Sequence, residues 1–113
     1  MGRKRVAATP AAEDALAILG LQIRMARRER NLTATELAAR IGVAPGTLAA
    51  IEKGAASVTA GSIFNAAVAA GVPLFGAETP EALHMLRRVG EDKLALIPTR
   101  VRHRKVESDV YKF

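Results

Sequence analysis

Leu32-Thr33-Ala34-Thr35-Glu36-Leu37-Ala38-Ala39-Arg40-Ile41-Gly42-Val43-Ala44-Pro45-Gly46-Thr47-Leu48-Ala49-Ala50-Ile51-Glu52-Lys53-Gly54 is the stretch that decides the fold. Thr33, followed three positions later by Glu36, forms a capping box. Its hydroxyl and the carboxylate each satisfy a backbone N–H that a first helical turn leaves unpaired. Leu37, Ala38 and Ile41 then recur at helical spacing. Gly42 ends this helix because it accepts the positive φ of a sharp reversal. A second helix opens with Pro45 in its first turn and stops at Gly54, with Leu48 and Ile51 facing inward. Two short helices joined by a glycine-containing turn of about four residues are the sequence form of a helix-turn-helix.

Working outward, a longer helix is predicted from Glu13 to Arg30, with Leu16, Leu19, Ile23 and Ala26 spaced by threes and fours. Gly20 weakens it by about 1 kcal/mol relative to Ala, so a kink or a late start is expected there. Asn31 tolerates the left-handed conformation and is the expected terminator. On the other side, Thr59 or Ser62 caps a fourth helix running to about Ala70, with Ile63, Phe64, Ala67 and Val68 on or near its buried side. Gly71-Val72-Pro73 stops it, and Leu74 and Phe75 are expected to fold back onto the core. Pro80 starts a fifth helix, Glu81 to about Val89, with Leu83 and Leu86 as its apolar positions and Gly90 as its end. The chain thus divides into a basic flexible arm (1–13, with Pro10 interrupting), a helical domain (14–90) and a basic C-terminal tail (91–113). Within the tail, Leu94-Ala95-Leu96-Ile97 has the look of an interface or a short strand.

Composition narrows the function. Half of the 113 residues are hydrophobic, only 4% are aromatic, and much of the apolar content is Ala. That mixture favours thin, closely packed helices over a β-sandwich. The absence of cysteine excludes a disulfide framework and fits a cytoplasmic protein. No apolar run approaches a membrane span, and only His84 and His103 are available to a metal, so no metal or cofactor is expected. No catalytic triad, phosphate loop or carboxylate cluster is present, which argues against an enzyme. The net charge is +6, and its placement is uneven. Arg3, Lys4 and Arg5 crowd the start, and Arg100, Arg102, Arg104, Lys105 and Lys112 crowd the end, whereas residues 6–97 balance nine basic against nine acidic groups. Basic arms on a neutral body point to a polyanion, most often nucleic acid.

Residues 21–76 resemble the helix-turn-helix domain of the Xre/Cro-repressor family. The likeness rests on Ile23-Arg24-x-Ala26-Arg27-Arg28-Glu29-Arg30-Asn31-Leu32-Thr33, then Glu36-Leu37-Ala38-x-x-Ile41-Gly42-Val43, then Thr47-Leu48-x-x-Ile51-Glu52-Lys53-Gly54. It implies an all-α, five-helix, lambda-repressor-like domain with a salt bridge between Arg27 and Glu52. It also implies that the third helix enters the major groove of double-stranded DNA, using its first residues and one position a turn later.

Those positions here are Pro45, Gly46, Thr47 and Ala50, with Ala49 beside them. Pro, Gly and Ala carry no side-chain donor or acceptor, so the bidentate readout of Arg or Gln is missing. Ala34 likewise stands where the family usually has Gln. The remaining contacts are Thr33, Thr35 and Thr47, apolar touches on thymine methyls, backbone N–H groups, and the cations Arg24, Arg28 and Lys53 with the Arg3–Arg5 arm. DNA binding mainly through phosphate is the expectation.

A single helix-turn-helix covers few base pairs, so a homodimer is expected. Leu83, Leu86, Leu94, Leu96 and Ile97 are the candidate dimer or partner residues, with Met85 beside them. The terminal run from Ile97 to Phe113 resembles tails on regulators that accompany HipA-like kinase toxins. That likeness implies an autoregulatory antitoxin whose tail, including Tyr111 and Phe113, docks on the toxin or orders on DNA. Two other possibilities stay open: an interaction module that kept the fold but lost the operator, and a phage-type repressor without a toxin.

Overall fold

Five helices succeed one another among the described residues, 7–100, of this computed structural model: α1 (Pro10–Glu29), α2 (Ala34–Ile41), α3 (Pro45–Glu52), α4 (Ala60–Ala70) and α5 (Pro80–Ala95). No strand occurs among these residues, only an isolated bridge between Leu74 and Ala77. Threonine opens four of the helices. Thr9, Thr33, Thr59 and Thr79 each accept a hydrogen bond from the backbone N–H three residues on, at 3.0–3.4 Å. Each such cap contributes about 1 kcal/mol. At α2 the box closes reciprocally, because the Thr33 N–H donates to Glu36 Oε1 at 2.9 Å. These hydrogen bonds to Thr33 hold the Glu36 carboxyl below its ordinary range. α3 is the exception: its N-cap is Ala44, with no side-chain hydrogen bond.

α1 to α4 enclose one core. Ile23, Leu37, Leu48 and Ile51 are fully buried at its centre, each contributing about 1.5–3 kcal/mol by leaving water. Around them the contacts are made by alanines: Ala38, Ala66, Ala67 and Ala70 are buried to 1% or less. Side chains of one carbon let the helix axes approach, and a larger group at Ala38 would force them apart. Gly42 adopts φ 71° at the turn between α2 and α3, which explains its place there.

Six expectations about the ends and edges are corrected. Pro10 does not interrupt an arm; capped by Thr9, it occupies the first turn of α1, where its missing N–H costs nothing. Gly20 does not delay the helix, which runs through it uninterrupted from Pro10 to Glu29. Gly90 does not end α5, which continues to Ala95 through good helix formers. Leu94 and Ala95 therefore belong to that helix and Leu96 caps it, so no strand forms there. Phe75 turns outward: it sits at φ 54° beside Gly76 at φ 77°, closing a tight turn with the Ala77 N–H on the Leu74 carbonyl. Leu74 is buried as expected, but Phe75 is 77% exposed, its ring 6.2 Å from that of Phe64. Phe64 and Val68 are exposed as well, leaving Ile63, Ala66, Ala67 and Ala70 as the inner side of α4. Asn31, at φ 57°, does terminate α1.

Candidate nucleic-acid interface

α3 is held in place by its inner side. Leu48, Ile51 and Glu52 are buried, and the backbone at its C-terminal end lies directly on α1. A Cβ added at Gly20 would sit 2.5 Å from the Glu52 carbonyl oxygen and 2.7 Å from that of Ile51. One added at Gly54 would meet Ala17 Cα and N at 2.7 Å. Gly20 is thus the point where one helix passes over the end of another, and no larger residue fits without moving them.

An ion-pair network secures the same crossing. Arg27 Nε donates to Glu52 Oε2 at 2.7 Å, and Arg27 Nη2 donates to Glu52 Oε1 at 3.1 Å, a two-pronged pair. Arg27 Nη1 donates to the Leu32 carbonyl at 3.0 Å, tying the α1–α2 loop into the arrangement. Arg24 Nε donates to Glu52 Oε1 at 3.3 Å. Burial alone pushes the Glu52 carboxyl up. The hydrogen bonds and charge of Arg27, and then those of Arg24, outweigh it, so the group lies below its ordinary value. The hydrogen bond to Glu52 likewise raises Arg27, against the opposing effect of burial. No buried side-chain nitrogen or oxygen among the described residues lacks a partner.

The outer side of α3 is bare. At 100° per residue, Pro45, Gly46, Ala49, Ala50 and Lys53 fall on one flank, opposite the buried trio. Pro45, Gly46, Ala49 and Lys53 are exposed and Ala50 half-buried, with Thr47 half-buried at the edge. The structure thus brings the expected groove residues together on one face. Thr33 and Thr35 are exposed at the start of α2, and Arg28 is exposed on α1. Arg24 is less free than a phosphate contact alone would make it, because its Nε is committed to Glu52 while its side chain stays 35% exposed. Arg3, Lys4, Arg5, Tyr111 and Phe113 lie outside the described residues.

The candidate partner residues form a different kind of surface. α5 has no buried residue, and no other helix packs extensively against it. Leu83 is half-buried and packs on the core. Leu86, Leu94, Leu96 and Ile97 are all exposed.

Sequence reasoning missed the close-approach role of Gly20, the second arginine on Glu52 and the prominence of Ala49. The Arg24 pairing had a signal: residues three apart on a helix share a face, so Arg24 and Arg27 point toward one partner. Among the described residues no group of three or more histidines and carboxylates could hold a metal ion, and no helix is long and apolar enough to cross a membrane.

A short capped helix, a glycine reversal and a second helix pinned by its inner side while its outer side faces solvent define a DNA-binding fold. Residues 23–76 match the family model described as Helix-turn-helix, which supports a helix-turn-helix domain of the Xre/Cro type in this part of the chain. The protein is accordingly a DNA-binding transcriptional regulator of the helix-turn-helix class. No curated protein and no solved structure matches the chain.

Proposed function

We propose that the protein is a repressor that binds operator DNA as a homodimer, gripping it chiefly through the phosphate backbone. The observation that carries this is the outer side of α3: exposed in a helix-turn-helix domain, yet without a side-chain hydrogen-bonding group from Pro45 to Ala50 except Thr47. With direct base readout so limited, affinity must come from charge and from backbone N–H groups. Lys53, Arg28 and the guanidinium of Arg24, still 35% exposed, supply cations from the described residues, and Arg3, Lys4 and Arg5 add charge for the backbone or a minor groove.

The second copy docks through α5 in this reading. Leu83, Leu86, Gly90 and Leu94 recur along one flank of a helix against which no other helix packs extensively, Leu96 and Ile97 follow at its end, and an isolated helix of this length is marginal in water. The basic tail, 91–113 with Tyr111 and Phe113, extends the proposal to an autoregulatory antitoxin that holds a HipA-like kinase toxin in the cytoplasm. A mobility-shift assay with the DNA upstream of the chain's own reading frame tests the regulator. A retarded band that DNA without that sequence competes away poorly supports it. No retardation by the folded full chain favours the second reading, an interaction module that kept the fold, which the same bare α3 surface would also fit.

A further inference from the structure

Along Pro45, Gly46, Ala49 and Ala50, α3 presents only carbon and hydrogen beyond its backbone. Nothing lies within 4 Å of the position a Gly46 Cβ would take, so the backbone there is open to a groove. A helix stripped to Cα and Cβ on one side is also thin. Its Cα cylinder is about 4.6 Å across, against about 10–12 Å for a helix with full side chains and about 12 Å for the major groove. Such a face can seat deeply enough for its carbons to touch base edges.

In the major groove, guanine, cytosine and adenine present hydrogen-bonding groups, and thymine alone adds a C5-methyl. Against an apolar face the polar edges lose water without gaining a partner, whereas a methyl gains contact. Resting on the DNA-binding reading above, we infer that α3 chooses its sites by thymine C5-methyl groups. Pro45, Ala49 and Ala50 form the apolar seat, Gly46 permits the close approach, and Thr47 supplies the one side-chain hydroxyl at its edge. The inward pinning of α3 by Glu52 and Gly20 matters here, because van der Waals contact decays within about 1 Å of optimal separation.

Thymine and deoxyuridine have the same hydrogen-bonding groups in both grooves and differ by that methyl. The full chain is used to select duplexes from a random-sequence library. The duplexes recovered are then compared with copies in which every thymine is replaced by deoxyuridine. Each methyl in contact accounts for about fourfold in affinity, so a half-site with two gives more than tenfold between the two forms. Replacing the contacted A·T pairs by G·C lowers affinity, and 5-methylcytosine at those pairs recovers part of it. Ala49→Gln, at an exposed position, brings the thymine-to-deoxyuridine ratio toward one without lowering the melting temperature. A ratio near one for the unaltered chain, with binding still strong and salt-sensitive, overturns the methyl readout and leaves the DNA-binding reading standing. Failure of the folded chain to recover any duplex overturns both.

Discussion

α3 and α5 stand at opposite extremes of the molecule. α3 has eight residues, no side-chain N-cap and too little length to persist alone, yet its inner side is buried, ion-paired and laid on the backbone of α1. α5 is twice as long, capped by Thr79, opened by Pro80 and favourable in local sequence, yet none of its residues is buried. The helix proposed to meet the DNA is thus fixed by tertiary contacts, and the one proposed to meet a partner has a capped start but no buried residue. α3 carries both the stability and the proposed DNA face, whereas α5 carries only the proposed partner face, so substitutions at the two helices should differ in kind as well as size.

The largest effect is expected at the α3 anchor. Glu52→Ala leaves Arg27 buried without its counter-charge and should cost about 3–5 kcal/mol, measured by chemical denaturation. If it costs under about 1 kcal/mol, the network does not hold α3. The same carboxylate sets a pH dependence. Its folded pKa is depressed, so its contribution is complete above the unfolded value of about 4.3 and is lost as pH falls through the lower folded value. Melting temperature should drop in that acid window for the unaltered chain, and less for Glu52→Gln. A parallel decline in both would assign the acid sensitivity elsewhere.

Gly20→Ala comes next. Alanine is the better helix former by about 1 kcal/mol, but its methyl collides with the carbonyls of Ile51 and Glu52. A net loss of about 1–3 kcal/mol is expected, and a gain in stability would show that the crossing has slack.

At α5 the expectation reverses. Leu86→Asp should change unfolding free energy at low concentration by under about 0.5 kcal/mol, while sedimentation shows loss of the dimer. A dimer that survives it does not use this face. Smallest is Arg87→Ala, which breaks the exposed Arg87–Glu91 pair at 3.3 Å and should cost about 0.3–0.5 kcal/mol. A loss well above that would mean α5 is less isolated than its exposure indicates.

What was legible in the sequence follows the same division. The α2–turn–α3 unit declares itself because caps and reversals are local: Thr33, Glu36, Gly42 and Pro45 act within a few residues of their own positions. The Arg27–Glu52 pair is 25 residues apart, and it came from the family likeness, not from spacing. Gly20 misleads because its cost is local and its purpose is not. Periodicity sees a weakened helix, while the backbone of α3 that needs the space arrives from elsewhere in the chain. Gly90 reads locally as a stop, although α5 continues to Ala95 and Arg87 reaches Glu91 across that point. Hydrophobicity alone points Phe75 inward, but the left-handed pair Phe75–Gly76 fixes its direction independently of its character. That the candidate residues of α3 share a flank, with Thr47 at its edge, needs only the helical repeat, whereas Arg24's commitment to Glu52 needs the crossing.

The salt dependence of DNA affinity tests the central claim, a grip made mainly on phosphate by a helix with little else to offer. Affinity of the full chain for its upstream DNA is measured across a salt series and plotted logarithmically. A dimer making about 6–10 phosphate contacts should lose about 10³–10⁵ in affinity between about 50 and 200 mM salt. A nearly flat line with tight binding would contradict the account.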